Sequence, residues 1–168
     1  VTDMSYMFAG CQAMKSVNLD GFDTSKVTSM IYMFRFCSGL EVLDLGMFDT
    51  SSLIYIDSMF IDCSGLISLD LSSFNLTKVS YFGGLLQFGT TNKIETLKTP
   101  YNNAAEIRIR TGSTLYNEET GEVVTSVPAG TTKSLTYVNQ NPFSYFPRSW
   151  KTEVASTTYM TTTLTTTN

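Results

Sequence analysis

Histidine is absent from this sequence of 168 residues. Ser-His-Asp and Cys-His catalysis, histidine-ligated zinc and the HExxH type of metal site all need an imidazole, so each of them is excluded. We therefore predict that the protein is not an enzyme and that it binds no metal ion and no other cofactor.

Charged residues are scarce as well, at 15% of the chain, where about 25% is usual. The net charge of −4 argues against a nucleic-acid partner, because such a partner needs clustered lysine and arginine to displace its counterions. No run of about 20 apolar residues is present, so we expect no membrane span. Serine and threonine supply the polar surface instead, and this favours an extracellular protein.

The chain opens at Val1, without an initiator methionine or a signal peptide. This start predicts a fragment or a processed product.

Cysteine occurs three times, at Cys11, Cys37 and Cys63, so the cysteines cannot all pair within one chain. Their spacing is 26 residues, and the sequence around them repeats with them. A fixed period of roughly 20–29 residues that contains L-x-x-L-x-L indicates a leucine-rich repeat. The predicted units span residues 1–26, 27–52, 53–78 and 79–100, and the last needs two extra residues between Thr90 and Lys93.

Each unit combines a strand pattern with a helix pattern. Apolar and polar residues alternate in SVNLD, VLDLG and SLDLS, which predicts short strands with one face inward. In VTSMIYMFRFC the apolar residues are spaced by threes and fours, which predicts a helical turn or short helix on the same core. We therefore predict an α/β repeat fold: a right-handed leucine-rich-repeat solenoid of about four coils, with a parallel β-sheet on its concave face and a small β-rich C-terminal cap.

Two further columns of the repeat have predicted structural roles. The side chains of Asp23, Asp49 and Asn75 stand at the corner of each unit, where they can accept a backbone N–H as an Asx turn or helix cap. The three cysteines are predicted to be buried, reduced and free of metal, because side chains stacked in a ladder run parallel to each other.

The repeat disappears after Tyr101, where AEIRIR, EVVTSV and KSLTYV predict further strands. We assign residues 101–138 to a β-rich cap that covers the last coil. Residues 139–168 are predicted to be a linker or the start of a next module.

The outward columns of the predicted strands are the candidate binding surface, because they vary while the inward columns are constant. The carboxylates of Asp44 and Asp70, on adjacent coils, would lie about as far apart as the two catalytic carboxylates of a retaining glycosidase. A weak calcium contact and ordinary solvated side chains are the alternatives, and the last is favoured. The candidate binding residues are Asn18, Asp20, Val42, Asp44, Ser68, Asp70 and Lys98.

The units contain FDTSKVT, MFxxC and LxxLDLS or close variants of them, most clearly in the second unit at Met33, Phe34, Cys37, Leu40, Leu43 and Leu45. With this combination the sequence resembles the BspA-like branch of leucine-rich-repeat surface proteins of bacteria, strongly over about residues 1–100 and more loosely to Leu135. The resemblance implies secretion, display on the cell surface and a role in adhesion. It implies no ligand and no binding residue.

We therefore expect a non-catalytic adhesion module whose partner is a protein or glycan on host or neighbouring cells. The alternative is a structural subunit. The first coil has no polar cap, so Val1, Met4 and Phe8 would be free to dock on a neighbouring copy and build a filament or layer.

Overall fold

The structure is a computed structural model that describes residues 1–92 and 94–140. Within these ranges the chain forms short strands and no helix. The described residues therefore contain no helix that could cross a membrane. The strands are β1 (Val42–Leu43), β2 (Ser68–Asp70), β3 (Leu86–Gly89), β4 (Thr96–Lys98), β5 (Ile107–Thr111), β6 (Leu115–Asn117), β7 (Val123–Val124), β8 (Ser126–Val127) and β9 (Thr136–Val138).

The described strands form two mixed sheets. In the larger sheet the order is β1-β2-β4-β9-β6-β7. Its β1, β2 and β4 are parallel, and Val42, Ser68 and Thr96 are neighbours in register, so successive repeat units lie side by side. The remaining strands of this sheet pair antiparallel. In the smaller sheet β5 lies between β3, which is parallel to it, and β8, which is antiparallel.

The core lies between the units, where equivalent side chains stack. The rings of Phe8 and Phe34 are 5.3 Å apart and those of Phe34 and Phe60 are 6.1 Å apart, measured between centroids. Phe60 then contacts Phe88 at 6.5 Å, so the fully buried Phe88 is the fourth member of this ladder. Stacked aromatic rings add favourable contacts to the burial of their apolar area.

The predicted helix is replaced by two consecutive turns in each unit. The backbone is left-handed at Tyr6, Tyr32 and Ser58, with φ between 53° and 61°, and again at Phe36 and Asp62. A left-handed residue cannot belong to a right-handed α-helix and costs roughly 1–2 kcal/mol when it is not glycine. Two turns in succession bring residues that are three and four positions apart to the same side, so the apolar residues have the same spacing as the apolar face of a helix.

The hydrogen bonds of these turns show why the left-handed residues are tolerated. In the second unit the N–H groups of Met33 and Arg35 close turns onto Met30 and Tyr32. The alternate N–H groups leave the unit: Tyr32, Phe34 and Phe36 donate to the carbonyls of Asp57, Met59 and Ile61, at 2.9–3.1 Å. An α-helix would keep all of these bonds within the segment. Here half of them join one unit to the next, as in a sheet.

The prediction of an α/β, right-handed leucine-rich-repeat solenoid is therefore wrong. The described residues are all-β, with short strands in two mixed sheets and no helix. The assignment was based on the 26-residue period and the L-x-x-L-x-L pattern, and the helix that it implied opposite each strand is replaced by left-handed turns. SVNLD in the first unit forms no strand either, whereas the equivalent segments of the next two units contain β1 and β2.

The strands predicted after Tyr101 are present. AEIRIR contains β5, EVVTSV contains β7 and β8, and KSLTYV contains β9. Through β9, which pairs with β4, and β5, which pairs with β3, these strands adjoin the last repeat unit. The predicted linker or next module at 139–168 lies outside the described residues from position 141 onwards.

The corner prediction is confirmed by hydrogen bonds. Asp23 Oδ1 accepts the N–H of Ser25 at 3.1 Å, and Asp49 Oδ1 accepts that of Ser51 at 2.8 Å. Asn75 Oδ1 does the same for Thr77. Each is an Asx turn, in which a short polar side chain replaces a backbone acceptor.

A buried threonine at the same corner joins the units. Thr50 Oγ1 accepts the N–H of Asn75 at 3.0 Å and donates to the carbonyl of Asn75 at 3.3 Å. Thr24 bonds to Asp49 in the same way. At the first two corners the acid therefore closes the local turn, and the threonine makes two bonds to the next unit.

Two of the three cysteines are buried as predicted. Cys37 donates its thiol to the carbonyl of Phe8 at 3.0 Å, and Cys63 donates to that of Phe34 at 2.9 Å. Cys11 is exposed, so the prediction of three buried thiols is wrong for the first unit. The reason is physical: each thiol is covered by the preceding unit, and within the described chain no unit precedes Cys11.

Candidate binding surfaces

The outward columns of the strands form what we call the strand face, which contains the seven predicted binding residues. Asn18, Asp20, Val42, Asp44, Ser68 and Lys98 are exposed, and Asp70 is partly exposed. The structure brings them together in pairs: Val42 is the register partner of Ser68, and Asp70 is that of Lys98. Asn18, Asp20 and Asp44 line one shallow depression of about 330 Å³.

The acidic column of the strand face has a structural role that the sequence analysis did not assign. Asn18 Oδ1 accepts the N–H of Asp20 at 2.8 Å, and Asp44 Oδ1 accepts that of Gly46 at 2.9 Å. Asp70 Oδ1 accepts the N–H of Ser72 at 2.9 Å. These side chains therefore close a second set of Asx turns, and one of their two polar atoms is already used.

Asp70 is further engaged by Lys98, whose Nζ is 2.7 Å from Asp70 Oδ2. Partial burial raises the pKa of Asp70, but the hydrogen bonds from Lys98 and Ser72 outweigh it, and the pKa is lowered overall. The bond to Asp70 in turn raises the pKa of Lys98. A glycosidase acid needs a raised carboxyl pKa, so Asp70 is poorly suited to that role. Among the described residues, no group of three or more cysteines and carboxylates is placed to hold a metal ion.

A second surface lies on the outer side of the double turns, and we call it the turn face. It exposes aromatic residues in every unit: Tyr6, Phe36, Tyr55 and Tyr81, the last with 69% of its area accessible. The rings of Tyr6 and Tyr32 are 5.0 Å apart. The spacing of the segment predicted a helix with an inward apolar stripe, and this outward surface was therefore not predicted.

An arginine on the turn face contacts two aromatic rings. The guanidinium carbon of Arg35 lies 5.0 Å from the centroid of Tyr32 and 4.4 Å from that of Phe36. Both distances are within the range of a cation–π contact. Tyr32 and Phe36 both have a left-handed backbone. Together with Arg35 they form an aromatic–cation cluster on the turn face.

At its far end the turn face continues into a groove of about 470 Å³ between residues 80–84 and the strands β3 and β5. Tyr81, Gln87, Glu106, Arg108 and Arg110 line it. Gln87 and Arg110 are register partners across the parallel β3–β5 pair, so their side chains lie next to each other. The alternation of AEIRIR indicates that both arginines face outward, but no sequence signal indicates that β5 pairs with β3.

The ring of Tyr81 is seated on a glycine. A Cβ placed on Gly83 would lie 2.6 Å from two ring atoms of Tyr81 and 2.6 Å from Asp57 Oδ1, so no side chain fits there. Burial raises the pKa of the Asp57 carboxyl, against the opposing effect of its hydrogen bond with Ser58. Gly83 therefore provides the flat support on which the ring rests.

The comparisons with known proteins place the repeat region in a family. Residues 1–105 match the family described as "Mycoplasma protein of unknown function, DUF285". No curated protein and no solved structure matches the chain. The description of this family mentions neither leucine-rich repeats nor BspA-like proteins, so that resemblance stays a prediction. Because the match covers more than half of the 168 residues, the chain belongs to the DUF285 family.

Proposed function

We propose that the protein is a non-catalytic binding protein that works at the cell surface, where it attaches to a protein or glycan of a host or neighbouring cell. The observation that carries the proposal is the turn face. Exposed tyrosines together with Arg35 give it the composition of an interaction surface, in which tyrosine and arginine are enriched and supply most of the binding energy.

The rigidity of the turn face supports the same function. In the first two units its backbone is tied to the next unit at every second N–H, and the rings of Tyr6 and Tyr32 are in contact. Binding costs conformational entropy whenever loops or side chains must be ordered. A surface that is already ordered avoids part of this cost.

The experiment that tests the proposal removes the exposed rings while keeping the fold. Ser29 occupies the position equivalent to Tyr55 and Tyr81 in another unit, so Tyr55→Ser with Tyr81→Ser uses a residue that the repeat already accepts. Val42→Ser is the matched control on the strand face, because Ser68 occupies the equivalent position there. Both variants are displayed on beads, and attachment to target cells is measured beside a melting curve.

We expect the double tyrosine variant to lose attachment by at least about tenfold, since a hot spot contributes on the order of 2 kcal/mol or more. The control should bind like the wild type. Loss in the control alone would move the site to the strand face, and undiminished attachment in both variants would contradict a role for either surface.

The location at the cell surface is tested separately. Brief protease treatment of intact cells should remove an epitope in the repeat region while a cytosolic marker stays intact. Protection of the epitope until the cells are lysed would contradict an external location.

A second candidate function is self-association through the first unit. Of the predicted docking residues Val1 is exposed and Phe8 half-buried, but Met4 is buried, so the prediction is wrong for Met4. Met7 and Cys11 are exposed there, whereas the equivalent Met33 and Cys37 are fully buried. Apolar positions of this kind are suited to cover one another between two copies. Sedimentation of the wild type and of Met7→Ser decides between the candidates. A wild-type oligomer that Met7→Ser dissociates favours assembly, and a monomer in both contradicts it.

A further inference from the structure

We propose that the groove between residues 80–84 and the strands β3 and β5 binds one acidic sugar unit, a pyranose that carries a carboxylate or a sulfate. Arg108 and Arg110 would hold the anion, Tyr81 would pack on the apolar face of the ring, and Gln87 would bond to a hydroxyl group. The inference rests on the proposed binding function and gives it a ligand class.

The size of the groove fits a single sugar. Its volume of about 470 Å³ lies within the range of small-molecule sites, roughly 300–1,000 Å³. The glycine pair Gly83–Gly84 forms one wall, and the outward side chains of β5 form the other. Because the groove is open, a sugar at the end of a longer chain can enter it.

The charge of the groove favours an anion. Arg108 and Arg110 are exposed on the same face of β5, since Ile107 and Ile109 take the buried positions between them. Residues two apart on a strand are about 6.8 Å apart, so two guanidinium groups can converge on one ligand. Neither arginine has an ion pair among the described residues. Glu106 is the one acid in the lining, which leaves the positive charge in excess.

The other two side chains favour a sugar over a simple anion. The Tyr81 ring rests on Gly83 and offers its outer side to solvent. An aromatic ring with a polar tip provides an apolar platform and a hydroxyl for hydrogen bonding. Gln87, beside Arg110, supplies both a donor and an acceptor. Arginine is suited to the anion because its planar fork matches a carboxylate in a bidentate manner.

A polyanionic chain such as a nucleic acid fits the molecule less well. The whole protein has a net charge of −4, and a nucleic acid needs a basic stripe along many phosphates. One short groove with two arginines matches a ligand with one negative group.

The test uses three probes that share one ring: glucuronate, glucose 6-sulfate and glucose. Each is titrated into the full chain labelled with ¹⁵N, and the dissociation constant is taken from the shifts of amide signals in β3 and β5. The variants are Arg110→Gln and Tyr81→Ser. Lys15→Gln is the matched control, because it removes the same charge from a distant exposed residue. A melting curve verifies that each variant is folded.

We expect one or both anionic sugars to bind with a dissociation constant in the millimolar range and at least tenfold tighter than glucose. Which of the two binds identifies the anion as carboxylate or sulfate. Arg110→Gln should weaken this binding by about tenfold or more, Tyr81→Ser by a similar factor, and Lys15→Gln by less than twofold. Arg110→Lys, which keeps the charge but loses the fork, should bind with intermediate strength.

Three outcomes overturn the inference: no binding of either anion to the folded wild type, equal binding of glucose, or equal losses in Arg110→Gln and Lys15→Gln. These failures can be told apart from failure of the proposed function. Attachment to cells without sugar binding would support the proposed binding function and contradict this sugar site. Sugar binding without attachment to any cell would support the sugar site and contradict the proposed adhesive function.

Discussion

The first and second repeat units have nearly the same motif and very different interiors. Phe34 and Cys37 are fully buried, whereas the equivalent Phe8 is half-buried and Cys11 is exposed. The thiol of Cys37 is bonded to the carbonyl of Phe8, so the first unit covers the second. The difference teaches that burial in this protein is supplied by the neighbouring unit and not by the motif itself.

The largest expected effect concerns thiol reactivity. Burial raises the pKa of Cys37 to about 11 and that of Cys63 to about 12. Since the thiolate is the reactive form, the thiolate fraction of Cys37 at pH 8 is on the order of a thousandth. We expect Cys11 to react with iodoacetamide at least a hundred times faster than the other two, as measured by timed labelling and mass spectrometry.

The denatured chain is the control for this labelling, and all three thiols should react at similar rates in it. Equal protection of Cys11 in the native protein would mean that another surface covers the first unit. That result would break the comparison and favour self-association.

The second expected effect is on stability. Phe34→Ala removes the middle ring of a ladder and should lower the free energy of unfolding by about 3–5 kcal/mol, through lost burial and a cavity. Phe8→Ala, at the exposed end of the same ladder, should cost less than half as much. Urea titration followed by circular dichroism measures both variants. Equal losses would show that the two units are equally covered in solution.

A third prediction concerns the threonine that joins two units at the corner. Thr50→Val keeps the shape of a buried side chain but leaves the N–H of Asn75 without its acceptor. The loss should be about 1–3 kcal/mol, the cost of an unsatisfied buried group. Thr24→Val should cost the same amount, because Thr24 is equally buried in the first unit. A clear difference between them in the same titration would show that the first corner is looser.

The smallest effect is a pH dependence that is the same in both units. Hydrogen bonds from Ser25 and Ser51 lower the pKa values of Asp23 and Asp49 below the ordinary value of 3.8. A depressed carboxyl pKa stabilises the fold above the unfolded pKa, and the contribution is lost as the pH falls through the folded pKa. We therefore expect the melting temperature to decline slightly below pH 4.

Asp23→Asn and Asp49→Asn are the controls for this decline, since Asn75 already closes the same turn in the third unit. Each variant should melt at nearly the same temperature as the wild type at pH 7 and should show a shallower decline in acid. A steeper decline in either variant would contradict the assignment of these carboxylates.

The sequence alone was sufficient for the features that depend on period and alternation. The 26-residue spacing identified the stacked columns, and the alternation in AEIRIR located β5 with its outward arginines. The prediction from sequence failed where two backbone conformations, a helix and a double turn, give the same spacing of apolar residues. The threes and fours of Met30, Met33 and Phe34 suit a helix as well as a double turn, and tyrosine and phenylalanine are unusual residues for a left-handed backbone.

The candidate sites divide along the same line. The exposure of Asp44 and Lys98 followed from strand alternation, but the Asx bond of Asp44 needs the local turn geometry. The groove at Tyr81 could not be predicted from the sequence, because it depends on the pairing of Gln87 with Arg110, a residue that lies beyond the last repeat unit. Pairings outside the period leave no regular signal along the chain.

The backbone bonds between units have a consequence for how this architecture can lengthen. The N–H groups of Tyr6, Tyr32 and Ser58 each donate to a carbonyl 25 residues further along, in bonds between backbone atoms. A duplicated cassette of 26 residues would therefore find its backbone partners already in place, whatever its outward residues are. Duplication of units would keep the backbone hydrogen bonds between units unchanged, and the outward residues of each new unit could then vary freely.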